Sequence, residues 1–311
     1  MMRPRFSQSW GRGRLGDWNA LLVELGLLIY LIPPLFGALL ALRRSIPTIH
    51  LMLTTPVFIF TLFYGFSSGT RNIFGIYAIT FFVAYLINLE RLRWGRVILF
   101  SLAVLGVTAL ASFHMLEFRN MGLKKYLEDE AYQDEALRDT LFIDFNLRYL
   151  GVVQEVFPER YDYLGFEVLV WAIVKPIPRA IWPGKPEGLS VSIEEATNVE
   201  QMSVATTWVG ESFLAFGRVG VVATGLTIGL ICGFWNRRGS QYASPMQKII
   251  FASGFFAAAL SMRSVFWFTT ALLPTIALIS GDLIYRRFAA RNRRSKRVRS
   301  KPSFTLPSDS Q

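Results

Sequence analysis

Long apolar blocks separated by short basic joints make up most of the chain. Seven blocks are candidate spans, at about 18–42, 46–66, 73–89, 97–114, 219–235, 248–262 and 264–284. Such runs are longer than a soluble core usually needs, and a helix crossing a bilayer needs about 20 apolar residues. The pattern changes between 115 and 218, where polar residues dominate and the most apolar stretch, 164–174, is too short to span. The prediction is an all-α, polytopic integral membrane protein with about seven transmembrane helices and one long loop that itself contains helices. Its expected parts are N-terminal membrane helices (1–114), a loop domain (115–218), C-terminal membrane helices (219–285) and a basic disordered tail (286–311).

Composition agrees with this pattern. Hydrophobic residues are 52% and charged residues 18% of the 311, against about 25% charged in soluble domains. The net charge of +11 first suggests nucleic acid. The distribution excludes that partner, because most basic residues flank apolar blocks, where they set topology. The single Cys232 lies inside an apolar block and forms no intramolecular disulfide. The first block is too long for a cleavable signal, and no small-residue cleavage site follows it.

Charge then orients the spans. Arg43 and Arg44, then Arg91, Arg93 and Arg96, then Arg237 and Arg238, and finally nine Lys or Arg residues after Tyr285, fall on one side if spans alternate. The positive-inside rule makes that side cytoplasmic. Arg71, Arg263 and loop 115–218 then face out, and the C-terminus faces in. The loop holds 17 of the 22 acids and 10 of the 33 basic residues. Arg3, Arg5, Arg12 and Arg14 break the pattern, since seven spans put the N-terminus outside. Either Pro33-Pro34 interrupts the first block or a further span precedes it.

The loop carries the candidate chemistry. Residues 123–140 include Glu128, Asp129, Glu130, Asp134 and Glu135 but no DxDxDG pattern, so a solvated helix is expected and no metal. Residues 164–174 read as a helix at the membrane surface or in a shallow re-entry, or as a buried helix of the loop domain. They deliver Ile177 to Pro186, IPRAIWPGKP, close to the lipid. Three prolines stiffen that run and Gly184 turns it. Arg179 and Lys185 are the cations it displays. Guanidinium grips phosphate oxygens in pairs, and Trp182 can stack on a sugar face or anchor at the interface. From spacing alone, a basic turn resting on anionic headgroups is equally open.

Glu211 and Arg218 flank the mouth of the fifth span. A carboxylate there is paired, with Arg218 or Arg263, or it is a base or orienter for a hydroxyl. Arg71 and Arg263 are snorkelling arginines or members of a cationic collar with Arg179 and Lys185. His114 is a weaker candidate base at the outer end of the fourth span, and His50 lies at the other face. Two histidines on opposite faces do not build a zinc site.

The order of these pieces resembles the Wzy-like O-antigen polymerases, the polysaccharide repeat-unit polymerase family. The resemblance rests on Gly69-Thr70-Arg71, Phe145-Asn146, Leu164-Gly165, the run Ile177 to Pro186, Gly210-Glu211 with Gly217 and Gly220, and Arg263. It covers about 65 to 285, and family members often carry asparagine where Ala215 stands. The resemblance implies polymerisation of undecaprenyl-diphosphate-linked oligosaccharide units at the outer face of the bacterial inner membrane. It also implies the multi-helix fold shared with O-antigen ligases, no metal or other cofactor, and work beside a flippase and a chain-length regulator. In that reading Arg179, Arg71 and Arg263 hold diphosphate, Lys185 and Trp182 assist, and Glu211 orients or deprotonates the acceptor. The rival readings are a ligase-type transferase, a transporter or flippase, and a non-catalytic scaffold. Apart from Lys248 at the first position of its span, only Glu24 and Asp282 put charge inside the spans, and no internal repeat is visible, which weighs against transport.

Overall fold

The computed structural model describes residues 25–89, 94–118, 122–129, 146–177, 181–186, 188–191, 206–240 and 242–299. Helices and connecting turns account for them, with no strand among the described residues. A 3-10 turn at Leu27–Leu31 leads into α1 (Ile32–Ala41). The helices α2 (Thr48–Ser67), α3 (Arg71–Asn88) and α4 (Trp94–Phe118) follow. Next come the short helices α5 (Leu123–Glu128), α6 (Asn146–Val156) and α7 (Glu167–Val174). The chain ends its described course with α8 (Thr207–Asn236), α9 (Pro245–Arg263) and α10 (Phe268–Arg299).

Among the described residues, five segments are long and apolar enough to cross a membrane: Thr48–Ser67, Arg71–Asn88, Val97–Met115, Thr207–Gly239 and Val265–Arg291. Met115 at the end of the Val97–Met115 span is buried, but the span is otherwise uncovered, and Leu99, Leu102, Leu105 and Leu110 stand open on α4. Val219, Val222, Leu226 and Leu230 do the same on α8. An apolar surface this continuous is tolerated in hydrocarbon and not in water. The protein is membrane-embedded and all-helical.

Two of the seven expected spans look different in the fold. Leu27–Ala41 is a shorter apolar helix. Pro33 and Pro34 sit in the first turn of α1, where the missing N–H groups have no intrahelical partner to lose. The prolines thus restart a helix after the 3-10 turn, and residues 1–24, with their arginines, lie outside the described residues. The segment expected at 248–262 forms α9, opened by a capping box in which Ser244 and Gln247 exchange hydrogen bonds. It is not among the five most apolar segments, and it packs on α3 instead of standing apart.

Packing is tightest around α3. Gly37 of α1 lies so close that a Cβ there would meet the Phe81 carbonyl oxygen at 2.3 Å. Phe36, Phe58 and Phe81 stack beside that contact. Tyr30 stacks on Phe256 at 3.9 Å, joining α9 to the same core. Ile73 of α3 and Leu260 of α9 share one cluster. Arg71 and Arg263 therefore lie toward one end of the bundle. Arg43 and Arg44, which follow α1, lie toward the other, beside Leu86 and Leu89. Eighteen residues of α3 separate these ends by about 27 Å.

The chain divides into two compact units between Thr275 and Ile276. In the second unit, α10 continues to Arg299, past Tyr285 where the sequence pattern places the start of a disordered tail. Asp282, one of the charges expected inside a span, pairs there with Arg286 at 2.8 Å.

Candidate functional site

The 30-residue α8 is two helical segments joined at Phe216 and Gly217, which leave helical geometry. Gly217 has φ 59°, and a Cβ there would lie 2.8 Å from the Tyr163 ring. Both facts require glycine. In an unbroken helix the carbonyls of Leu214 and Ala215 would accept from residues four further on. The break removes those donors. The N–H of Leu164 donates to Leu214 O at 2.9 Å and that of Gly165 to Ala215 O at 2.8 Å. Two motif pieces about 50 residues apart in sequence are thus one structural element.

Glu211 lies in the segment before the break and is 1% exposed. Its Oε2 accepts from the Val265 N–H at 2.5 Å. The Ser264 hydroxyl and the Phe266 N–H are further donors to the carboxylate, and Lys175 is the cation that acts on it. Among the described residues Glu211 makes no ion pair with Arg218 or Arg263. It instead anchors the backbone that immediately follows Arg263. A carboxylate this deep is tolerated only with such donors.

The α7 helix connects this anchor to the basic turn. Val168 and Ala172 are buried against Phe213, Leu214 and Phe266 and Val174 is buried as well, while Phe166, Val170 and Ile173 are exposed. One face of α7 is thus packed against α8 and the turn before α10, and the other is open and apolar. Thr269 Oγ1 donates to Ala172 O, tying α7 to the start of α10. Lys175 caps α7 and lies 3.9 Å above the Trp267 ring.

Lys185 donates to Lys175 O at 2.6 Å and to Ile177 O at 2.9 Å. A lysine on the last carbonyls of a helix complements both the orphan acceptors and the dipole. This fastens the PGKP turn to α7, which is a structural task for a residue expected to touch ligand. Trp182 is 41% exposed on the turn. Arg179, with Pro178 and Ala180, lies outside the described residues, as do Phe145, Glu130, Asp134 and Glu135.

Arg71 is the first residue of α3, after Gly69 at φ 65°. It and Arg263, the last residue of α9, are partly buried. The structure brings Glu211, Lys175, Lys185 and Trp182 onto one local assembly, with Arg263 joined to it through Ser264. Arg71 shares that end of the bundle, and Arg218 is exposed beyond the break.

Several residues of this region carried no weight in the sequence. Glu167 binds the hydroxyl of Ser190 at 2.7 Å and also its N–H, closing the loop from the other side. Its signal was an acid in the first turn of a helix. Thr207 has φ 65°, strained for a β-branched residue. The neighbouring Thr206 hydroxyl is buried without a hydrogen-bond partner among the described residues. Strain and an unmet hydroxyl thus sit at the start of the helix that holds Glu211.

A second polar cluster lies where α4 ends. Glu117, 4% exposed, accepts from the Tyr126 hydroxyl at 2.6 Å, and His114 Nδ1 lies 3.0 Å from the same oxygen. That bond, together with burial, pushes the Tyr126 phenol up to about 12. His114 is therefore the partner of a buried acid. Among the described residues no group of three His, Cys, Asp or Glu side chains could hold a metal ion. Compared with family models, curated proteins and solved structures, the chain matches none.

Proposed function

We propose that the chain is a lipid-diphosphate-dependent glycosyltransferase that polymerises undecaprenyl-diphosphate-linked oligosaccharide repeat units for O-antigen or exopolysaccharide. The proposed reaction is metal-independent and runs at the outer face of the bacterial inner membrane, with loop 115–218 extracytoplasmic and the C-terminus cytoplasmic. One observation carries this reading. The Leu164-Gly165 pair and the element from Gly210 to Gly217 hydrogen-bond each other and bury Glu211 against the backbone next to Arg263.

Transfer from a lipid diphosphate develops negative charge on the leaving group, and fixed cations in a water-poor site stabilise it as it forms. Arg71, Arg263 and Arg179 are assigned that task. Lys185 supports the turn that carries Arg179, and Trp182 packs on a sugar face. Glu211 is assigned as a positioning residue. Its carboxylate is closed to an acceptor hydroxyl, but it fixes the Ser264–Phe266 backbone and so the direction from which Arg263 leaves α9.

Polymer length on gels, from cells that depend on this chain for polymer, tests the assignment. Replacing Arg179 with Ala should lower polymer formation about 100- to 1000-fold, the usual loss for one preorganised donor. Unchanged polymer at normal protein levels would remove Arg179 from the site. Glu211→Gln separates the two roles of that residue. The amide oxygen still accepts from Val265, so positioning predicts most activity retained, whereas a general base predicts its loss. A purified wild-type chain that never turns over a lipid-linked repeat unit would favour the scaffold reading.

A further inference from the structure

The end of α3 far from Glu211 carries a cleft that glycosyl transfer does not use. Its volume is about 780 Å³, and it lies between the end of α1, the end of α3 and the start of α4. Leu86, Val97, Phe100 and Ala103 line its apolar part, and Arg43, Arg44 and Ser45 line its polar part. Leu99, also on its wall, is 70% exposed, so the cleft opens on the surface that faces hydrocarbon. No acid lines it. Among the described residues neither arginine is in an ion pair.

We propose that this cleft binds one anionic phospholipid, its phosphodiester on Arg43 and Arg44 and an acyl chain along Leu86, Val97 and Phe100. The volume is that of a small-molecule site. Guanidinium groups clasp phosphate oxygens through paired N–H donors. Both arginines follow the C-terminal turn of α1, where the helix dipole favours positive charge and holds it in place. Basic residues that only set topology need no groove beneath them. Here charge and groove coincide, which is the requirement of an amphiphile with an anionic head. A zwitterionic lipid offers the same phosphate together with a cation that the two arginines repel. The site therefore discriminates by headgroup, and it does so independently of the reaction proposed above.

Native mass spectrometry of the full chain, extracted from bilayers of equal phosphatidylglycerol and phosphatidylcholine, tests this. The wild type should retain phosphatidylglycerol about tenfold over phosphatidylcholine. The R43Q/R44Q pair should lose that preference. The R237Q/R238Q pair removes equal charge at the joint after α8, away from the cleft lining, and should keep it. Ala103→Trp fills the groove with both arginines intact and should lower retention as far as R43Q/R44Q does. Soluble glycerol phosphate should not displace the lipid. Equal retention of the two lipids by the wild type, equal loss in the R237Q/R238Q control, or full retention by Ala103→Trp would each overturn the proposal. Unchanged helical circular dichroism and elution certify that each variant folds.

Discussion

The two ends of α3 handle charge in opposite ways. At the Arg71 end two acids are buried and both are held: Glu211 by Val265 and Glu117 by Tyr126 and His114. Two lysines there are drawn into the fold, Lys185 onto helix carbonyls and Lys175 over Trp267. At the Arg43 end the arginines are exposed above an apolar cleft, with no acid on its walls among the described residues. Desolvation explains the contrast. A charge brought out of water must meet donors or an opposite charge, and the fold supplies them only where it also builds a loop domain. One end is preorganised by its own backbone; the other is completed by what the bilayer provides.

If that division is real, the two ends should break separately. The largest effect is expected at Gly217. Valine there must adopt φ 59° and place its Cβ against the Tyr163 ring. Left-handed backbone costs a β-branched residue about 1–2 kcal/mol, and overpacking adds about as much, for a total of about 3 kcal/mol. The thermal midpoint in detergent should fall and polymer formation with it. Lipid retention at the Arg43 cleft should survive. Gly229→Ala, on the same helix where a Cβ meets nothing within 4 Å, is the matched control and should leave the midpoint unchanged. Loss of lipid retention in Gly217→Val would mean that the ends are coupled.

The break at Gly217 also shows what was legible. Hydropathy marked the spans because exposure to lipid is written residue by residue, as on α4 and the later part of α8. It also marked the apolar run 164–174. It did not reveal that Glu211 meets Val265, because a bond between residues 54 apart leaves no periodicity. Nor did it separate the two tasks of basic residues in IPRAIWPGKP. Lys185 and Arg179 read alike as cations on a stiff turn, yet Lys185 binds the carbonyls of Lys175 and Ile177. Composition records the charge of a side chain and not the acceptor that the fold places under it. Glu117 escaped notice for the same reason, since its partners lie on α4 itself and on α5.

Lys185 supplies the next test. Lys185→Met keeps the aliphatic stem over Trp171 and removes both donors. Charge-assisted bonds at a partly exposed position suggest a loss of about 2 kcal/mol. Faster hydrogen exchange across 175–186, with exchange in α3 unchanged, is the expected signature. An unaltered exchange pattern with lowered ligand affinity would instead return Lys185 to the binding site.

The smallest expected effect probes whether buried acids at the Arg71 end need all their donors. Tyr126→Phe removes the 2.6 Å bond to Glu117 and leaves His114 in place. Because one partner remains and Tyr126 is only partly buried, the loss should be about 1 kcal/mol, read as a small drop in thermal midpoint. The pH dependence carries more information than its size. The folded-state phenol is raised to about 12 from an ordinary value of 10.0. A raised acid favours its protonated form in the fold, so its contribution is complete below pH 10 and disappears as pH climbs toward 12. Wild type and Tyr126→Phe should therefore differ most below pH 10 and converge above 12. A constant difference across that window would mean that the hydroxyl contributes by packing and that the Glu117 carboxylate is sustained by His114 alone.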